Sequence, residues 1–232
     1  MKQIYLKCLK KLREFRKTIK NDKDKKKGKL YFSWLVEKTN KIEKENDDNY
    51  IYNNILKYTL GNYKIDKYNY ERLNGKKNSD GNVYNTLSIA INNPIKYVNL
   101  EELVNIIDTE DGIIYISSPT CPYCRATVET LLQVVKDLNI SKIYYYEIFT
   151  GNEVANYDEL MKELEEKEIV KVNNDSKYSW GVPVLLQTRN GEIISKINGV
   201  SYELEENQSK YDSLNEEQKE IVYNRYYDAL NK

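Results

Sequence analysis

The chain of 232 residues contains no histidine. That absence removes Ser-His-Asp and Cys-His catalysis, imidazole metal ligands and a histidine pH switch. Cysteine is scarce as well, with only Cys8, Cys121 and Cys124. Three thiols cannot build an all-cysteine, four-ligand zinc site within one chain. A net charge is also missing, because 36 Lys+Arg balance 36 Asp+Glu. This argues against a protein whose whole surface tracks nucleic acid, and no DNA partner is expected. Long apolar runs are lacking. The aromatic-apolar cluster at residues 30–36 is interrupted by Ser33 and too short to cross a bilayer. The basic N-terminus has no apolar core or small-residue cleavage site of the signal-peptide kind, and Cys8 has no lipoprotein-like flank. The expectation is a cytoplasmic protein, where paired cysteines are more often catalytic than structural. Tyrosine is abundant, at 22 residues. With the many Asn and Lys, this reads first as the coding bias of an AT-rich genome.

Composition divides the chain into three. Residues 1–29 carry thirteen Lys/Arg against Glu14, Asp22 and Asp24. Ile4, Cys8, Leu12, Phe15 and Ile19 recur at helical spacing, so a basic amphipathic arm is expected. It reads either as an arm for an acidic, RNA or anionic membrane-surface partner, or as a packed helix with a solvated basic face. The first option would make the protein membrane-peripheral. Residues 30–92 read as a mainly helical, Tyr- and Asn-rich accessory region, with turn signals at Asn74-Gly75 and Asp80-Gly81. Its tyrosines read as half-buried core with wet hydroxyls, and no chemical role is expected of the segment.

From residue 93 the pattern sharpens. Residues 95–98 read as a strand. Asn99 caps a helix whose apolar face is Leu100, Leu103, Val104 and Ile107. Residues 113–117 form a continuous apolar run suited to a buried central strand. The helix after Cys121 buries Val128, Leu131, Leu132, Val135 and Leu138. A strand follows at 142–149, then an acidic helix at 153–171. Residues 183–188 and 192–197 read as a hairpin around Asn190-Gly191. Ser213 and Glu216 read as the capping box of a last helix. The order β-α-β-α-β-α-β-β-α predicts an α/β domain over 93–232, a mixed sheet flanked by helices.

The chemistry lies in Cys121-Pro122-Tyr123-Cys124, directly after the central strand and at the first turn of a helix. Unpaired amides and the positive end of the helix dipole favour a thiolate there. Pro122 sits where a missing N–H costs little. The spacing lets Cys124 reach Cys121 and close a disulfide. Cys121 is then the exposed attacking thiol and Cys124 the resolving one. Arg125 is expected to add positive charge beside the pair. A zinc site shared between two chains remains an alternative, and a purely structural disulfide would close too small a loop to add much stability. Pro183, in Gly181-Val182-Pro183, opens a strand where proline fits only as a special turn, for example a cis one.

These residues resemble the thioredoxin-like superfamily over about 94–205. The matching features are the strand at 113–117, the Cys121–Cys124 pair, Gly181-Val182-Pro183 and the hairpin that ends at Gly199. The run Pro119-Thr120-Cys121-Pro122-Tyr123-Cys124-Arg125 looks like that of bacterial thioredoxin-like and bacteriocin-transport accessory proteins. The resemblance implies thiol–disulfide exchange on protein disulfides, with reduction the favoured direction in a cytoplasmic setting. It implies a cis-proline at Pro183 facing the cysteines, and substrate binding by Thr120, Val182 and Pro183. Pro122, Tyr123, Arg125 and Pro183 would support the pair. No cofactor is implied beyond the redox-active pair itself. The implied partners are a disulfide-containing protein and a reductase or oxidase that recycles it. The alternative is a thioredoxin-like adaptor whose N-terminal region binds a partner. Two departures stand out. Pro-Tyr is the glutaredoxin dipeptide, yet Asn198-Gly199-Val200-Ser201 lacks the glutathione-site pattern. Tyr115 stands where thioredoxins keep a buried acid, and Glu147 on the neighbouring strand is the substitute to consider.

Overall fold

The computed structural model describes residues 69–90, 93–148, 156–175 and 177–232. The basic arm at 1–29, Cys8 and the greater part of the 30–92 region lie outside the described residues.

Period-2 alternation in the strands sorts side chains onto two layers. The elements are β1 (Ile95–Tyr97), α1 (Leu100–Thr109), β2 (Gly112–Ser117), α2 (Pro122–Asp137), β3 (Ile143–Glu147) and α3 (Tyr157–Glu166). They continue with β4 (Val170–Val172), β5 (Tyr178–Trp180), β6 (Val184–Arg189), β7 (Glu192–Asn198) and α4 (Glu216–Leu230). The main sheet has the order β1-β3-β2-β6-β7. Its β1, β3 and β2 run parallel, while β6 and β7 are antiparallel to their neighbours. In register across the centre, Ile116 faces Tyr146 and Val184, and Tyr115 faces Tyr145 and Leu185. Ile114, Ile116, Tyr144, Tyr146, Val184 and Leu186 pack with α1 and α3 residues such as Leu103, Ile107, Met161 and Leu164. Tyr115, Tyr145 and Leu185 pack on the other face with Val128, Leu131 and Val135 of α2 and Val222, Tyr226 and Leu230 of α4. Each such aliphatic side chain contributes roughly 1.5–3 kcal/mol on burial. The mixed sheet between two helical layers is the fold class that the sequence predicts.

The β6–β7 turn shows why its residue types are needed. Asn190 and Gly191 have φ of 52° and 76°, the left-handed pair of a two-residue hairpin turn. A Cβ at Gly191 would sit 2.2 Å from the Asp108 carbonyl oxygen, so the turn admits no larger residue there.

Two expectations need correction. The acidic helix does not run to residue 171: it stops at Glu166, and β4 pairs with β5 in a separate two-stranded ribbon. Glu168 adopts φ of 57°, the Glu168 N–H bonds to the Glu165 carbonyl, and Ile169 N–H bonds to that of Leu164. This is a Schellman stop built on a non-glycine residue, with Ile169 and Leu164 buried in one cluster. The box of α4 is formed by Asn215 and Gln218, not Ser213 and Glu216. Gln218 is buried and also donates to the Glu203 carbonyl at 2.7 Å, which ties the cap to the preceding loop. The described residues 69–90 pack with the domain that follows them. Tyr70, Leu87 and Ile89 belong to the same buried cluster as Tyr115 and Val128.

Candidate active site

Backbone geometry alone gives the two cysteines different surroundings. The buried end of β2 at Ser117 passes into a turn in which the Cys121 N–H donates to the Ser118 carbonyl at 3.1 Å. Cys121 is the N-cap of α2, with extended φ and ψ of −76° and 120° and Pro122 in the first turn. Its Sγ accepts the Cys124 N–H at 3.2 Å, so the thiol takes the place of the oxygen that usually caps a helix. Both cysteines are free thiols; Cys121 is half-buried, whereas Cys124 is fully buried.

The thiols are correspondingly pushed apart. Cys121 is held below the ordinary thiol range, first by the Cys124 side chain, then by the Cys124 and Tyr123 amides and the Lys210 charge; burial opposes them. Cys124 is pushed well above that range by burial, with Cys121 adding to the rise. The polar groups of Ser117 and Ser118 offset part of it.

Across from the pair, the Val182–Pro183 peptide is cis. Pro183 is buried at the start of β6, and its carbonyl accepts the Gly199 N–H at 2.8 Å. The Cys121 thiol lies 3.8 Å from the Val182 carbonyl oxygen and donates towards it. Thr120 is exposed on the turn before Cys121, its hydroxyl bonded to that of Ser118 at 2.8 Å. Tyr123 is half-buried, and its carbonyl accepts the Thr127 hydroxyl. Cys121, Pro122, Tyr123 and Cys124 thus occupy one turn, with the Val182 carbonyl facing Cys121.

Arg125 does not stand in solvent beside the pair as a free charge. It is 1% exposed. Its guanidinium donates to the Tyr70 carbonyl at 2.7 Å, the Asn85 carbonyl at 2.7 Å and the Asn74 side chain at 2.8 Å, with longer bonds to Asn85 Oδ1 and the Pro119 carbonyl. Tyr84 lies over it at 5.3 Å. Arg125 therefore fastens residues 70–85 to α2, and among the described residues Lys210 is a cation that favours the Cys121 thiolate. The reason is that residues 69–90, absent from the expected domain, offer buried carbonyls that must be paired.

Glu147 lies at the end of β3, where Tyr97 Oη donates to it at 2.7 Å and Asn69 Nδ2 at 3.2 Å. Burial pushes its carboxyl up. Tyr115 is fully buried within the sheet. Four neighbours of the thiols escape a reading of the sequence: Ser117, Tyr70, Tyr202 and Lys210. Ser117 alone carries a signal, as the polar residue ending an apolar strand directly before the cysteines.

No family model matches the chain, and no curated protein matches it. Among solved structures it is similar to a thioredoxin from Aeropyrum pernix. The two share 22% identity at a TM-score of 0.32, over 44% of this chain and 73% of that one. At that score the likeness carries no argument. The fold, an α/β arrangement with a mixed sheet between helices, rests on the strand order itself.

Proposed function

We propose that the protein is a thiol–disulfide oxidoreductase that exchanges disulfides of protein substrates through Cys121 and Cys124. The observation that carries this is the Cys124 N–H donated to Cys121 Sγ at the start of α2, with Cys124 buried one turn behind. The accessible sulfur is the one whose thiolate is stabilised, and the thiolate is the nucleophile. Cys121 attacks a substrate disulfide and forms a mixed disulfide. Cys124 then attacks Cys121 Sγ and releases the second substrate thiol. Val182 and Pro183 offer backbone beside Cys121 where an extended substrate segment pairs, and Thr120 borders the same opening. The motif over residues 119–125 supports placing the protein beside bacterial thioredoxin-like accessory proteins. The reading takes reduction in the cytoplasm as the direction, with a separate reductase to recycle the pair.

An insulin-reduction assay with dithiothreitol as recycling reductant tests the reading. The wild type should reduce the disulfides catalytically, and Cys121→Ser should be inactive. Equal activity of the two proteins would sink the proposal.

A further inference from the structure

The ribbon of β4 and β5 has no part in the exchange chemistry described so far. The two strands pair with each other, apart from the main sheet. β5 then runs through Gly181 into Val182, whose carbonyl oxygen lies 3.8 Å from the Cys121 thiol. The ribbon therefore borders the opening at the attacking sulfur.

Register decides which way its backbone points. The Asn173 N–H donates to the Lys177 carbonyl at 2.9 Å, which makes these two a hydrogen-bonded pair. Hydrogen-bonded and non-hydrogen-bonded pairs alternate along an antiparallel ladder. Lys171 and Ser179 form the next hydrogen-bonded pair, while Val172–Tyr178 and Val170–Trp180 are non-hydrogen-bonded. The N–H and C=O groups of Tyr178 and Trp180 consequently point away from β4. Among the described residues no other strand pairs with that edge.

Side chains alternate as well. Tyr178, Trp180 and Val182 pack against the core that holds α1 and α3, and the Trp180 ring lies 5.4 Å from that of Tyr146. Ser179 and Gly181 are exposed between them. Both are small, and a Cβ added at Gly181 would meet nothing within 4 Å. β5 is thus seated firmly on one face and unobstructed on the other.

A row of unpaired strand groups is a template for a further strand. A helical segment cannot use it, because a helix bonds its own N–H and C=O groups internally. Resting on the proposed function, we infer that the open edge of β5 is the substrate-recognition strand. It takes an extended segment of the disulfide-bearing protein, starting beside Val182 and running back past Trp180 and Tyr178. The substrate class is a disulfide whose cysteine lies in an extended or unfolded segment. One flank of that cysteine lies along β5, and the other flank is unpaired. Substrate residues opposite Trp180 and Tyr178 bond to their backbone, and the residue between them does not.

The reduced full chain is mixed with blocked peptides whose single cysteine is joined by a disulfide to thionitrobenzoate. Attack by Cys121 releases the coloured thiolate, and its second-order rate is read. A tripeptide centred on the cysteine is compared with peptides lengthened by four residues on either flank. Lengthening one flank should raise the rate about tenfold, as added backbone bonds form, and lengthening the other should change it little. On the effective flank, N-methylation of a pairing amide should cost about fivefold. Methylation of the amide between should cost little, so the losses alternate with a period of two. The protein is unaltered throughout, so misfolding produces neither effect. Equal gains on both flanks, no gain, or losses without the alternation would overturn the inference. A wild type that fails to attack even the tripeptide, or does so no faster than Cys121→Ser, would instead sink the proposed function.

Discussion

Cys121 and Cys124 are one helical turn apart and have opposite surroundings. In front, Cys121 caps α2, accepts an amide N–H at 3.2 Å and reaches the Val182 carbonyl across the gap. Behind, Cys124 is fully buried, and the phenols of Tyr115 on β2, Tyr145 on β3 and Tyr226 on α4 act on it electrostatically. The front combines the Cys124 side chain and two amides of the strand-to-helix turn with Lys210 and the Val182 carbonyl from farther along the chain. The back is built from side chains that come from distant parts of the chain, residue 70 among them. Two identical residues are thus shifted in opposite directions without any imidazole. The Cys124 side chain and the amides of the helix terminus lower one thiol, and burial raises the other.

The contrast breaks most completely at the front. Cys121→Ser should abolish disulfide reduction by several orders of magnitude, since it removes the attacking atom; insulin turnover reads this. Cys124→Ala should leave the first attack intact and stop turnover. Mass spectrometry should then find substrate held covalently on Cys121, and a failure to trap it would remove Cys124 from the resolving role. Next in size, Arg125→Met should destabilise the fold by about 3 kcal/mol, because buried carbonyls of Tyr70, Asn85 and Pro119 lose their donor. Urea unfolding measures that loss. The same variant should disturb the phenolic wall behind Cys124 more than the amides in front of Cys121. Smallest is Lys210→Ala. It removes a cation that favours the Cys121 thiolate, so the midpoint of Cys121 alkylation should rise by a few tenths of a pH unit. Salt should shrink the difference.

Legibility follows the same front-and-back division. The strand at 113–117, the helix behind Cys121 and the Asn190-Gly191 hairpin are local patterns, and each is present in the structure. The thiol pair and Val182-Pro183 are likewise marked by residue type. The back wall is not, because nothing local links Tyr70 to Ser117 across 47 positions. Arg125 reads as a free charge beside the pair only while residues 69–90, whose carbonyls bind its guanidinium, are left out of the domain. The missed β4–β5 ribbon has another cause: an acidic run with good helix formers conceals a stop at Glu168, whose left-handed conformation is one usually filled by glycine.

The front-and-back asymmetry is tested most directly by iodoacetamide alkylation of the reduced protein across pH, with each cysteine followed separately by peptide mass spectrometry. The thiolate is the form that reacts, so a lowered thiol reaches its plateau at lower pH and a raised one at higher pH. Cys121 should react first, with a midpoint below the ordinary free-cysteine value of about 8.5. Cys124 should be modified only slowly, and only in alkaline solution. Equal rates and midpoints for the two, or earlier modification of Cys124, would contradict the account.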